Sequence, residues 1–197
     1  MSNQKDEKLS DQRLVTAVLN GDRYTFGLII KKTEGLVAQM TFKMISNPGD
    51  RKDIAQDVYL KAFKNLSGFK FQSKLSTWIG QIAYNTCLHY LEKKKLVLID
   101  NFGEDGEISE NSFNNDVRND TEEKLFSKEL AEMLHTEIEQ LKPLYKTLIS
   151  LYHQEELSYA EIAEITSLPE GTVKNYIFRA RKTLKENILL KHKRNEL

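Results

Sequence analysis

Between Leu157 and Arg181 the chain reads LSYAEIAEITSLPEGTVKNYIFRAR, and this stretch narrows the available folds more than any other. Tyr159, Ile162, Ala163 and Ile165 recur at helical spacing, with Glu161 and Glu164 on the other side, so its first half is an amphipathic helix. Thr166-Ser167-Leu168 then leaves room for only a short turn before Pro169. Proline suits the first position of a helix, where its missing N–H is not needed, so a second helix is expected to start at Pro169. Advancing ~100° per residue places Val173, Ile177, Ala180 and Leu184 on one stripe of it. Two helices joined this tightly must cross and pack those stripes together, which is a helix-turn-helix.

The remaining side chains say what such a unit is for. Lys174, Asn175, Phe178, Arg179, Lys182 and Lys185 point away from the apolar stripe. Phe178 stands among cations, where a solvated face would carry something polar, and a base edge or thymine methyl would give it a partner. The expectation is a helix that reads DNA in the major groove, with Arg179 able to pair with guanine and Lys182 and Lys185 meeting phosphates. An ordinary helical hairpin with a basic outer face would need the turn, Pro169, Gly171 and Phe178 to coincide by chance.

Charge limits how DNA is engaged. Lys plus Arg and Asp plus Glu number 29 each, so the whole chain has no electrostatic hold on nucleic acid and tight binding by the free protein is not expected. The balance hides segregation. Acids in residues 96–120 face only Arg118, and the cations from Lys174 to Arg194 face only Glu186.

Cys87 is the only cysteine and His89, His135, His153 and His192 are scattered, so neither a disulfide framework nor a metal site is expected. No phosphate loop or nucleophile-base pair is visible either, so the expectation is a non-enzyme with no catalytic residues and no cofactor. MSNQKDEKLSDQR lacks the apolar run of a signal peptide, and no segment reaches the ~20 apolar residues of a membrane span. The expected place is the cytoplasm, without membrane insertion.

Helical periodicity dominates elsewhere. Ser10 is a candidate N-cap for a helix through Leu14, Val15, Val18 and Leu19, stopped at Asn20-Gly21-Asp22. A second helix from about Tyr24 passes Gly35, a candidate break, and ends at Ser46-Asn47-Pro48-Gly49, read as a turn. A third spans Asp53 to Asn65 and a fourth Leu75 to Lys95, with SGFKFQSK as a loop between them. Residues 96–120 break the pattern with Gly, Asn, Ser and acids and read as an acidic flexible linker. Helices resume near Thr121 and again over Leu144 to Leu151. The fold class is all-α: a bundle over 1–95, the linker over 96–120, a helix-turn-helix domain over 121–190 and a basic tail over 191–197.

Wheeling the third helix puts Ile54, Ala55, Val58 and Ala62 inward and Asp53, Gln56, Asp57, Leu60 and Lys64 outward. The fourth puts Ile79, Ile82, Ala83, Thr86 and Tyr90 inward, leaving Trp78, Gln81, Asn85 and His89 along one flank.

Four segments in order, GDRYTFGLII, DIAQDVYLKAF, STWIGQIAYNTCLHYL and EGTVKNYIFRARKTL, resemble a small two-domain sigma factor of bacterial RNA polymerase, of the extracytoplasmic-function (ECF) subfamily of the sigma-70 family. The likeness covers about Leu14 to Ile188 and makes the two domains similar to sigma regions 2 and 4. It implies a subunit that binds core RNA polymerase, recognises the -10 and -35 elements of promoter DNA and opens the former. By resemblance, Asp53, Gln56, Asp57 and Leu60 grip the polymerase, where acids set orientation. Trp78, Gln81 and Asn85 face the melted element, Trp78 offering a stacking surface worth about 1–3 kcal/mol per base. The loop Phe69, Lys70, Phe71, Gln72, Ser73 and Lys74 resembles one that holds a flipped base. Lys174, Asn175, Phe178, Arg179, Lys182 and Lys185 fall to the -35 element. His89 stands where similar proteins more usually carry an acid.

The resemblance further implies a linker threading toward the polymerase cleft, and an anti-sigma protein as a candidate partner. A free-standing helix-turn-helix regulator is the rival reading; it would dimerise on paired half-sites, and no dimerisation pattern appears. A helical adaptor with no DNA role is the second rival, and an enzyme is weaker still.

Overall fold

The computed structural model describes residues 2–101 and 122–195, with side chains described for 9–95 and 131–190. Every regular element among them is helical: α1 (Ser2–Leu19), α2 (Arg23–Met44), α3 (Pro48–Asn65), α4 (Leu75–Asn101), α5 (Glu122–Gln140), α6 (Pro143–His153), α7 (Tyr159–Thr166) and α8 (Glu170–Asn195), with one 3-10 turn at Leu66–Gly68. The acidic linker lies mostly outside the described residues; its first residues, 96–101, continue α4.

Local chemistry explains the breaks. Gly21 takes φ +99, a value that favours glycine, and Asp22 then caps α2 by accepting from the Tyr24 and Thr25 amides at 3.0 and 3.2 Å. Hydrogen bonding from the Thr25 hydroxyl, reinforced by these amides, holds the Asp22 carboxyl below its usual value. Gly35 does not break α2, which runs unbroken to Met44. Asn47-Pro48-Gly49 is not a free-standing turn but the start of α3. Asn47 accepts from the Gly49 amide at 3.0 Å and Pro48 takes the first turn, so the turn signal and the helix-start signal coincide. Ser10 lies inside α1, not at its cap.

α2, α3 and α4 pack on one another with α1 against α2, and Val15, Ile29, Val37, Met40, Val58, Ala62, Ile79, Ala83 and Cys87 fill the space between. α5, α6 and α7 pack around α8 over Leu148, Leu151, Ile162, Val173, Ile177 and Ala180. Each fully buried aliphatic side chain here contributes roughly 1.5–3 kcal/mol.

The two groups of helices also touch. α7 packs on α4 and α6 on α2. At the first contact Gly80 has no side chain, and a Cβ there would meet Ile165 Cδ1 at 3.1 Å and Leu36 Cδ2 at 3.2 Å. At the second, Lys43 of α2 pairs with Glu139 of α5, which also holds Lys146 Nζ at 3.2 Å.

Candidate nucleic-acid interface

The helix-turn-helix is built by its caps. Ser158 accepts from the Glu161 amide at 3.3 Å while Glu161 accepts from the Ser158 amide at 2.9 Å, a reciprocal box that starts α7. Ser167 takes the left-handed conformation at φ 57 and ends it. Pro169 stands one residue before α8, and its carbonyl accepts from the Val173 amide at 3.1 Å, so it is the half-in flanking residue and not the first helical one.

From there α8 buries Val173, Ile177, Ala180 and Leu184 and presents Lys174, Asn175, Phe178, Arg179, Lys182 and Lys185 to solvent. Phe178 is 65% exposed. Lys174 is bridged to Glu170 one turn earlier at 2.6 Å and lies 5.5 Å over the Tyr159 ring. Lys182 lies 3.8 Å from Glu186. Beside this face is a cluster that the sequence did not disclose. Tyr152 and Tyr159 stack at 4.7 Å, Arg181 lies 4.9 Å over Tyr152, and Arg181 Nε donates to His153 Nε2 at 3.2 Å. The repeated arginine in FRAR was its only local trace.

The second candidate surface lies at the start of α4. Phe69 is buried, so it floors the loop instead of lining it; its ring lies 4.8 Å from Phe71 and 5.2 Å from Trp78. Phe71 adopts φ 54, an uncommon conformation for a bulky residue. Lys70, Gln72 and Asn85 are exposed, and Phe71, Ser73, Lys74, Trp78 and Gln81 are half-buried. Two of these already have partners in the helix-turn-helix: Lys74 Nζ pairs with Glu161 of α7 at 3.0 Å, and Gln81 Nε2 donates to Oγ of Ser167, the residue that ends α7, at 3.4 Å. His89 is exposed and lies 3.6 Å from Glu92, the neighbouring acid one turn on.

On α3, Asp53, Gln56, Asp57 and Leu60 all face solvent, with Leu60 57% exposed and Asp57 bridged to Lys61 at 2.7 Å. Phe63, one turn beyond Leu60, is also exposed and packs edge-on against Phe26 at 5.0 Å. Nothing in the sequence marks Phe63 as exposed, because an aromatic at that spacing reads equally well as core.

Comparison with known proteins agrees with both halves. Residues 29–97 match Sigma-70 region 2 and residues 131–184 match Sigma-70, region 4. The chain is 33% identical to the ECF RNA polymerase sigma-E factor of Haemophilus influenzae, over 92% of this chain and 97% of that one. To the ECF RNA polymerase sigma-E factor of Escherichia coli it is 31% identical, over 92% and 96%. Among solved structures, its fold is similar to the sigma factor RpoE in complex with the anti-sigma factor NepR from Bartonella quintana, with a TM-score of 0.62 at 21% identity over 84% of this chain and 96% of that one. It is also similar to CnrH in complex with the cytosolic domain of CnrY, with a TM-score of 0.60 at 19% identity over 90% and 96%. The all-helical fold and the paired matches define a sigma-70-type transcription initiation factor. Within that class the chain belongs to the ECF sigma factors, the promoter-recognition subunits of RNA polymerase. No helix among the described residues is long and apolar enough to cross a membrane.

Proposed function

We propose that this sigma factor divides its work among three surfaces, over a domain division at 1–95, 96–120, 121–190 and 191–197. The exposed face of α8 reads the -35 element through Asn175, Phe178 and Arg179, with Lys174, Lys182 and Lys185 on phosphates. The loop 69–74 with Trp78, Gln81 and Asn85 receives the melted -10 element. The acidic, leucine-bearing face of α3, Asp53, Gln56, Asp57 and Leu60, docks on core polymerase in the cytoplasm. The observation that carries this reading is Phe178, 65% exposed on a helix whose opposite stripe is buried. Leaving a large ring in water on a cationic helix is accounted for by a base it contacts.

The packing of α7 on α4 adds a step. Elements centred near -10 and -35 lie about 25 base pairs, roughly 85 Å, apart along the duplex. With Ser167, at the entrance to α8, bonded to Gln81 of α4, one chain cannot meet both elements. Promoter engagement therefore requires the α4–α7 contact to open, with the polymerase holding the two halves at the correct separation. An anti-sigma protein that keeps them together would block the same step.

The test is to combine the purified chain with bacterial core RNA polymerase and measure specific initiation on genomic fragments, comparing wild type with Asn85→Ala and Arg179→Ala. Initiation should require the chain and fall with both substitutions. For Arg179→Ala the loss should be about 1–3 kcal/mol and confined to promoters with the matching -35 base. Failure of the chain to bind core polymerase would overturn the assignment.

A further inference from the structure

We propose that Asp11, on α1, is a positioning residue for promoter opening: its buried carboxylate fastens the first turn of α4 and so sets the loop 69–74 and Trp78 for the strand they receive. This rests on the reading of that loop given under Proposed function.

Asp11 is 2% exposed, and among the described residues of the first half it is the one buried carboxylate. Burying a carboxylate is unfavourable unless it is paired and hydrogen-bonded. Both oxygens are in use. Oδ2 accepts from the Leu75 backbone N–H at 2.9 Å, and Oδ1 is paired with Lys32 Nζ at 2.7 Å. Leu75 is the first residue of α4, and the opening N–H groups of a helix have no partner within it. Helices usually meet this need from the preceding residue, but here that residue is Lys74, whose side chain carries donors and no acceptor. Asp11 performs the task from a different helix, 64 residues earlier in the chain, and places its negative charge at the positive end of the α4 dipole.

The location gives this cap a bearing on function. Trp78 belongs to the turn that Asp11 holds, since its amide donates to the Lys74 carbonyl at 3.1 Å. Phe69 bridges the loop, with its ring 4.8 Å from Phe71 and 5.2 Å from Trp78, so ring spacing depends on where α4 begins. Phe71 at φ 54 is held in a conformation that persists only when its surroundings over-determine it. Releasing Leu75 frees the C-terminal end of the loop and lets the rings drift from the spacing that accepts an unstacked base. α1 thereby gains a part in opening DNA that it does not itself touch.

The experiment uses full-length chain assembled with core polymerase, on a promoter fragment from which the wild type initiates, labelled with 2-aminopurine in the -10 element. Asp11→Ala, Asp11→Asn and Trp78→Ala are compared on the intact duplex and on the same fragment pre-opened by mismatches. Asp11→Ala is expected to lower duplex opening by about tenfold, and Asp11→Asn to recover most of it, because the amide oxygen still accepts from Leu75. On the pre-opened fragment the deficit should largely vanish, and affinity for core polymerase should be unchanged in both variants. A general folding defect would instead weaken core binding and both templates alike. The proposal is overturned if Asp11→Ala opens the duplex as wild type does, or loses as much on the pre-opened fragment. If Trp78→Ala also opens normally, the reading of the loop falls and takes this inference with it. If Trp78→Ala fails to open while Asp11→Ala succeeds, the inference alone falls.

Discussion

Arg181 holds His153 as a hydrogen-bond acceptor beside a permanent positive charge. Burial first, and the Arg181 charge second, push the imidazole below its usual 6.5. A depressed value means the unfolded chain binds the proton more readily. The contact's contribution to stability is therefore present above 6.5 and declines as pH falls below it. A pH titration of the His153 ring by NMR should give a midpoint below 6.5, and Arg181→Ala should move it only part of the way back, because burial remains. An Arg181→Ala midpoint equal to that of wild type would show that the pair does not form. In the sequence His153 was one isolated histidine among four, since its partner stands 28 residues further on. Phe178, by contrast, was legible from its own helix, because its angle to the apolar stripe is a local property.

Elements repeat this division. The stripes of α3, α4 and α8 are buried where periodicity places them, at Ile54 and Val58, at Ile79 and Ala83, and at Val173 and Ile177. Boundaries were less legible: Asn47-Pro48-Gly49 satisfies the rules for a turn and for a helix start alike, and only the cap geometry separates them. The packing of α4 on α7 was not legible at all. Gly80 and Gly171 look alike in sequence, yet a Cβ at Gly80 meets Ile165 and Leu36 at 3.1–3.2 Å whereas one at Gly171 meets nothing within 4 Å. Gly80→Val should therefore destabilise the protein by about 1–3 kcal/mol through overpacking. Gly171→Ala should be neutral or stabilising by about 0.5–1 kcal/mol. Thermal unfolding of the two variants checks both; equal melting temperatures would show that neither Ile165 nor Leu36 packs closely against Gly80.

At the scale of the whole molecule the two groups of helices meet through charge as well as packing. Burial raises the Glu139 carboxyl, but hydrogen bonding and charge from Lys43, then charge and hydrogen bonding from Lys146, outweigh it and hold the value below 4.5. A depressed carboxylate contributes fully above 4.5, and its contribution is lost as pH falls through the folded value. Energy transfer between dyes on the two halves should report their separation on acidification below 4.5, and Glu139→Gln should cause it at neutral pH. Unchanged transfer in Glu139→Gln would show that the pair does not hold the halves together. The sequence by itself determined that the chain is helical, where a helix-turn-helix lies, and which stripes of α3, α4 and α8 face the core. Those properties follow from a repeat of 3.6 residues that any short window displays. Only the tertiary structure decided that Asp11 caps α4, that Gln81 bonds Ser167 and that Lys43 meets Glu139. These partners stand 64, 86 and 96 residues apart, and no periodicity within a helix encodes which distant side chain will satisfy a buried or partly buried polar group.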